Sequence, residues 1–183
     1  MIYNLSDNDI HGAFPMGSNA GIQVIAFSND SFSEVVVGSA ALEASRVKVV
    51  AMDNNNFHTQ LRGAMFPLMQ EVEHWNISHN HFGGVLATEI GLLTKLLYGS
   101  IGHNDLTGTL PSELGLLATS LQSMDVSGNR QLSGTIPAQW GLLANVLQSL
   151  DISETNITGP VPDGLCDINP EMIIANLQFG SLL

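Results

Sequence analysis

The chain repeats itself. LQSMDVSGNRQLSGTIPAQWGLL from Leu121 and LQSLDISETNITGPVPDGL from Leu147 share one frame, and LLYGSIGHNDLTGTLPSELGLL from Leu96 follows it too. The frame reads apolar-x-x-apolar-x-apolar-x-x-Asn-x-apolar-x-Gly-x-apolar-Pro. A fixed period constrains a fold more than any other feature here. One short unit cannot bury its apolar face alone, so neighbouring units must stack into an array. Sliding the frame backwards finds weaker copies in VEHWNISHNHFGGVLA, VKVVAMDNNNFHTQL, IQVIAFSNDSF and MIYNLSDNDIHGAFP. The polar slot is then filled by Asn8, Asp30, Asn55, Asn80, Asn104, Asn129 and Thr155, at intervals of 22 to 26 residues.

Each part of the frame has a physical role. The apolar-x-apolar core has the period of a short strand with one face buried. Stacked copies put these strands in a parallel sheet at about 4.8 Å spacing, so seven copies span roughly 30 Å. A buried Asn amide can bond the backbone where the chain turns away from the strand, because an unpaired backbone group there is costly. Asp30 and Thr155 keep acceptor oxygens but lack the amide donors, which predicts weaker rungs. The Gly and Pro of GTLP, GTIP and GPVP are expected to set turns on the return path. The resulting fold class is an α/β repeat solenoid with a concave parallel sheet and an irregular, 3-10 or short helical convex side. Residues 1–183 read as a single domain of about seven repeats, with 163–183 a degenerate repeat or C-terminal cap. The slot at Asn8 leaves no room for the first apolar position, so the chain reads as a fragment of something longer.

Composition removes several function classes. Apolar residues make up 44% of the chain, enough for a packed core. Net charge is −12 with only five Lys plus Arg, and these are not clustered, which argues against nucleic acid or an anionic membrane as partner. No run of 18 or more apolar residues occurs, so no direct membrane insertion is expected. The single cysteine, Cys166, forms neither an internal disulfide nor a CxxC metal site. There is no P-loop, HExxH or GxSxG, so no enzyme and no cofactor is expected.

The frame also predicts which side chains line the concave face. These are Asn4, Ser6, Val24, Ala26, Ser28, Val49, Ala51, Asp53, His74, Asn76, Ser78, Tyr98, Ser100, Ser123, Asp125, Ser127, Ser149, Asp151 and Ser153, with His79, His103 and Glu154 at the strand exits. The candidate binding residues are His74, Asn76, Tyr98, His79, His103, Asp125 and Asp151. The first group offers aromatic and imidazole surface from adjacent repeats. Two imidazoles at His79 and His103, without a nearby carboxylate or thiolate, make a poor metal site, and none is expected. Asp125 and Asp151 are equivalent neighbours; with no second chemical group converging on them, a basic-ligand contact fits better than acid–base catalysis. Sequons mark Asn4, Asn29, Asn76 and Asn156 as possible glycosylation sites if the protein is secreted. Trp140 is expected to pack on the convex side.

The segments LTGTLPSELGLL and LSGTIPAQWGLL resemble the plant-type subclass of leucine-rich repeats. Such repeats occur in receptor kinases, polygalacturonase-inhibitor-like proteins and algal or diatom proteins. The match is close from Glu89 to Cys166 and drifts before it, where Thr59 and Glu34 stand in place of Gly and Ala87 in place of Pro. The resemblance implies a right-handed horseshoe, an extracellular or cell-surface location, and non-catalytic recognition of a protein, peptide or glycan within a receptor-like or secreted glycoprotein. It also implies two alternatives: an inhibitor of cell-wall hydrolases, or the ectodomain of a membrane-anchored signalling receptor kinase.

Overall fold

The computed structural model describes residues 2–7, 11–16, 23–37, 46–165 and 173–175. Eight short strands form one wholly parallel sheet: Ile2–Asn4, Val24–Ala26, Val49–Ala51, His74–Asn76, Tyr98–Ser100, Ser123–Asp125, Ser149–Asp151 and Ile173–Ala175. Register never slips along the stack. Ile25 pairs with Val50, Val50 with Trp75, Trp75 with Gly99, Gly99 with Met124 and Met124 with Leu150. A slip of one residue would turn the whole buried row to solvent, so burial enforces the register. The buried row mixes extremes. Trp75 is 1% exposed beside the bare Gly99, where Met124 Sδ would lie 2.8 Å from an added Cβ. Phe66 packs edge-on against Trp75, 5.6 Å between ring centroids, while the buried indole N–H of Trp75 has no hydrogen-bond partner among the described residues.

Past each of the first seven strands the backbone enters the left-handed region at one fixed position. Asp7, Asn29, Asn54, His79, His103, Gly128 and Glu154 have φ between 52° and 69°. These are mainly the residue types that tolerate this conformation, Glu154 being the outlier. Backbone bonds hold the bend in register: His79 N–H donates to Gly102 O at 3.0 Å, His103 N–H to Ser127 O at 2.6 Å and Gly128 N–H to Ser153 O at 2.8 Å.

The next residue is the polar slot. Asn80 Nδ2 donates to Ile77 O and Ser78 O in its own turn and to Met52 O in the preceding repeat, and its Oδ1 accepts the N–H of Phe57. Asn104 makes the same four bonds with Ile101, Gly102, Ile77 and Phe82. Asn129 repeats them with Val126, Ser127, Ile101 and Leu106. Asn55 donates to Phe27 O, Met52 O and Asp53 O. Thr155 donates to Ile152 O at 2.7 Å and accepts from Ile157 N–H at 3.3 Å, both within its own repeat. Leu132 N–H therefore folds back onto Asn129 O at 2.9 Å. Asp30 is buried; Asn8 lies outside the described residues.

The return path departs from the sequence reading. The apolar-x-Gly segment is a second parallel sheet and not only a set of turns: Gly83–Val85, Asp105–Thr109, Gln131–Gly134 and Asn156–Ile157. Gly84, Gly108 and Gly134 within it, and Gly159 just past its last strand, have φ between 82° and 92°. A further parallel pair joins His11–Met16 to Ser31–Val37. Beyond the second sheet, 3-10 helices at Gly63–Leu68, Thr88–Leu92, Ser112–Leu117 and Ala138–Asn145 form the convex side. They bury Phe66, Ile90, Leu114 and Trp140 at one equivalent position. Trp140 is fully buried, its indole N–H donating to Pro111 O at 3.0 Å. The helices approach closely through Gly91, Gly115 and Gly141, where an added Cβ would lie 2.8, 2.5 and 2.6 Å from the carbonyl oxygens of Glu113, Gln139 and Asp163. Leu92, Leu116 and Leu142 form an exposed apolar row outside them. Cys166 and most of the 163–183 tail lie outside the described residues; Ile173–Ala175 supply the last strand.

Candidate functional site

Unslipped register arranges the concave side chains in straight rows. The leading row runs Val24, Val49, His74, Tyr98, Ser123, Ser149. The trailing row runs Ala26, Ala51, Asn76, Ser100, Asp125, Asp151. All twelve are at least partly exposed. Two positions further on, Ser78 and Ser127 were expected to face the ligand side, yet both are buried. The cause is local. Asn76 Oδ1 accepts the Ser78 N–H and hydroxyl at 3.1 and 2.8 Å, and Asp125 Oδ1 accepts those of Ser127 at 2.9 and 2.6 Å.

Asp125 and Asp151 are register partners on adjacent strands. Asp125 Oδ2 also accepts the Ser100 hydroxyl at 3.0 Å, and Asp151 Oδ1 accepts the Ser153 N–H at 2.8 Å. Gly102 makes room for the first network, since an added Cβ would sit 2.9 Å from the Asp125 carboxylate oxygens and from Ser127 Oγ. The same bond to the N–H two residues on recurs at Asn4, with Ser6 at 3.0 Å. The acids therefore cap the strand exit and still present negative charge to the concave surface.

The aromatic and imidazole residues do not converge on one spot. His74 stacks on Tyr98 in the leading row, centroids 4.8 Å apart, with the Tyr98 hydroxyl donating to Gln122 Oε1 at 2.8 Å. His79 stacks on His103 at the strand exit, centroids 4.3 Å apart, because both occupy the left-handed position of adjacent repeats. The His103 ring in turn covers Gly128, where a Cβ would meet Nδ1 at 2.5 Å. A third stack, His58 on His81 at 4.4 Å, sits on the return path, with His81 3.3 Å from Asp105. Sequence reasoning missed this pair because His58 and His81 occupy different positions of the frame. Among the described residues no group of three or more His, Cys, Asp or Glu is placed to hold a metal ion.

Charge beside the site is partly paired. Lys48 and Glu73 form an exposed ion pair at 2.7 Å on the leading edge, next to His74. The hydrogen bond from Lys48 holds the Glu73 carboxyl below its usual range, and the Glu73 carboxylate raises the Lys48 ammonium. The sequon residues Asn4, Asn29 and Asn156 are exposed and Asn76 is half-buried. Asn29 Nδ2 donates to Asp7 Oδ1 and Asn156 Nδ2 to Arg130 O.

This geometry is a leucine-rich-repeat solenoid. The Leucine Rich Repeat family profile matches residues 146–168. No curated protein sequence matches the chain. Among solved structures, it is similar to the ectodomain of the Arabidopsis thaliana membrane receptor kinase GASSHO1/SCHENGEN3, in complex with CASPARIAN STRIP INTEGRITY FACTOR 2. That match has a TM-score of 0.84 and 27% identity, covering 95% of this chain and 20% of the other. The Arabidopsis receptor kinase HAESA ectodomain, in complex with an IDA peptide hormone ligand, matches at TM-score 0.83 and 25% identity, over 95% of this chain and 28% of that one. The plant peptide hormone receptor RGFR1 with RGF2 shares the fold at TM-score 0.82 and 20% identity, over 93% and 26%. The chain thus spans 28% or less of the length of each of these structures.

Proposed function

We propose that this chain is a non-catalytic recognition module of a receptor-like ectodomain, extracellular or cell-surface, whose concave sheet binds a peptide. One observation carries the reading: two unbroken rows of at least partly exposed side chains on one parallel sheet, changing character from repeat to repeat. Such a surface reads a ligand by its succession of side chains. Two neighbours at 25% identity or above are described as complexes: the GASSHO1/SCHENGEN3 ectodomain with CASPARIAN STRIP INTEGRITY FACTOR 2, and the HAESA ectodomain with an IDA peptide hormone ligand. The acids on this face are capping groups on one row: Asp125 accepts serine hydroxyls and a backbone N–H, and among the described residues no histidine or other base is bonded to these serines or to either acid, which weighs against catalysis.

The test is capture of secreted peptides by the purified protein, with substitutions at exposed positions. His74→Glu and Tyr98→Arg should each lose the captured ligand, whereas Leu116→Arg on the convex row should retain it. Retention by both concave variants together with loss by the convex one would place the footprint elsewhere and overturn the reading.

A further inference from the structure

The concave face is not uniform along the stack. Its second and third strands present Val24 and Val49 in the leading row, with alanines beside them in the trailing row, next to Ile2 and Asn4 of the first strand. Its centre presents the His74–Tyr98 stack. Its sixth and seventh strands present short serines in the leading row and the carboxylates of Asp125 and Asp151 in the trailing row, before the last strand places Ile173 and Ala175 at the same register positions. Building on the peptide-recognition reading, we propose that this gradient selects an extended peptide that is apolar at one end and carries a guanidinium or ammonium group at the other. The apolar side chains lie over Val24 and Val49, and the cation lies beside Tyr98 and the Asp125–Asp151 pair.

Three observations converge on the cation. Tyr98 stacks on His74 by one face, and the next two residues in its row, Ser123 and Ser149, have short side chains that leave room beyond the ring; Tyr98 is 42% exposed. An accessible aromatic face attracts Arg or Lys. The two carboxylates are register partners, so like charges face each other across one strand spacing, about 4.8 Å. Among the described residues no ion pair reaches either carboxylate: those of Lys48, Lys95 and Arg130 go to Glu73, Glu71 and Glu154. Finally, Asp151 commits Oδ1 to the Ser153 N–H, and its Oδ2 has no hydrogen-bond partner among the described residues. A planar guanidinium suits an open carboxylate edge beside an aromatic ring.

Strand spacing sets the ligand's length. From the Val49 strand to the two aspartate strands is three to four spacings, about 15–19 Å, which an extended peptide crosses in about five residues. The probes are fluorescent decapeptides with Leu-Val at one end and one Arg two, five or eight residues further on, in a Ser/Gly background. Fluorescence polarisation against the intact chain should rank the five-residue spacing tightest, and Arg→Glu in that peptide should weaken it at least about tenfold.

The decisive variant is D125N with D151N. Asn occupies the equivalent slot at Asn4 and Asn76 and accepts the same backbone bond, so the substitution removes charge and keeps the strand exit. In it the Arg and Glu peptides should bind alike. An Arg preference that survives this variant overturns the inference. So does binding with no Arg preference that is still lost on Tyr98→Arg; that result leaves the recognition reading standing. Failure of every peptide in the series overturns the inference, and the recognition reading is then decided by secreted-peptide capture.

Discussion

At the scale of single residues, the stack depends on what each polar slot reaches. Asn104 is buried and makes three donations and one acceptance, tying its own turn to the repeat before it. Removing its amide leaves the Phe82 N–H without its acceptor and takes one of two donors from each of the Ile77, Ile101 and Gly102 carbonyls. Asn104→Ala should therefore cost about 3 kcal/mol of unfolding free energy. Thr155 bonds only within its own repeat, so Thr155→Ala should cost about 1 kcal/mol. Urea unfolding of both variants checks the ordering, and an equal loss would show that the contacts between repeats add nothing. The polar slot was legible in the sequence because one letter, Asn, recurs there. The left-handed position just before it was not. Its occupants are Asp, Asn, Asn, His, His, Gly and Glu, most of which tolerate positive φ but which have no common side-chain chemistry.

At the scale of elements, the inner sheet was legible and the second sheet was not. A strand of two to five residues with one buried side chain, such as Leu106, Leu132 or Ile157, shows no alternation to read. Its Gly looked like turn punctuation because positive φ serves both uses. The 3-10 helices gave a clearer signal in EIGLL, ELGLL and QWGLL, whose central glycine permits close approach of the next repeat. This predicts opposite outcomes for two glycine substitutions. At Gly115 an added methyl would sit 2.5 Å from the Gln139 carbonyl oxygen, and backbone must move. Gly115→Ala should destabilise by about 1–3 kcal/mol. At Gly83 the nearest atom is 3.8 Å away, so Gly83→Ala should be neutral or slightly stabilising through the unfolded chain. Thermal melts of the two variants read the difference, and similar losses at both sites would mean that the close approach is not what fixes Gly115.

At the scale of the whole molecule, contacts run mainly between neighbouring repeats, so stability accumulates along the stack. Charge is the one property that acts across all of it. Seventeen acidic residues face five basic ones. Three of the bases are spent on ion pairs between adjacent repeats: Lys48–Glu73, Lys95–Glu71 and Arg130–Glu154. Salt weakens these pairs and the repulsion among the remaining acids alike, so the sign of its effect depends on which is stronger. The paired side chains are mostly about half exposed or more, and such pairs contribute at most about 1 kcal/mol each. The unpaired acids leave a net charge of −12 on a chain this small, and their repulsion acts over a Debye length of about 10 Å at 0.1 M salt. On these magnitudes, repulsion among the acids is expected to outweigh the attraction within the three pairs. Raising sodium chloride from about 20 mM to about 300 mM should therefore raise Tm by about 2–4 °C, the shift equivalent to about 1 kcal/mol in a chain of this size. Calorimetry at neutral pH, where both the lowered Glu73 carboxyl and the raised Lys48 ammonium are charged, measures it. A fall in Tm over the same range would show that the bridges between repeats outweigh the acidic surface, and that charge holds this solenoid together instead of straining it.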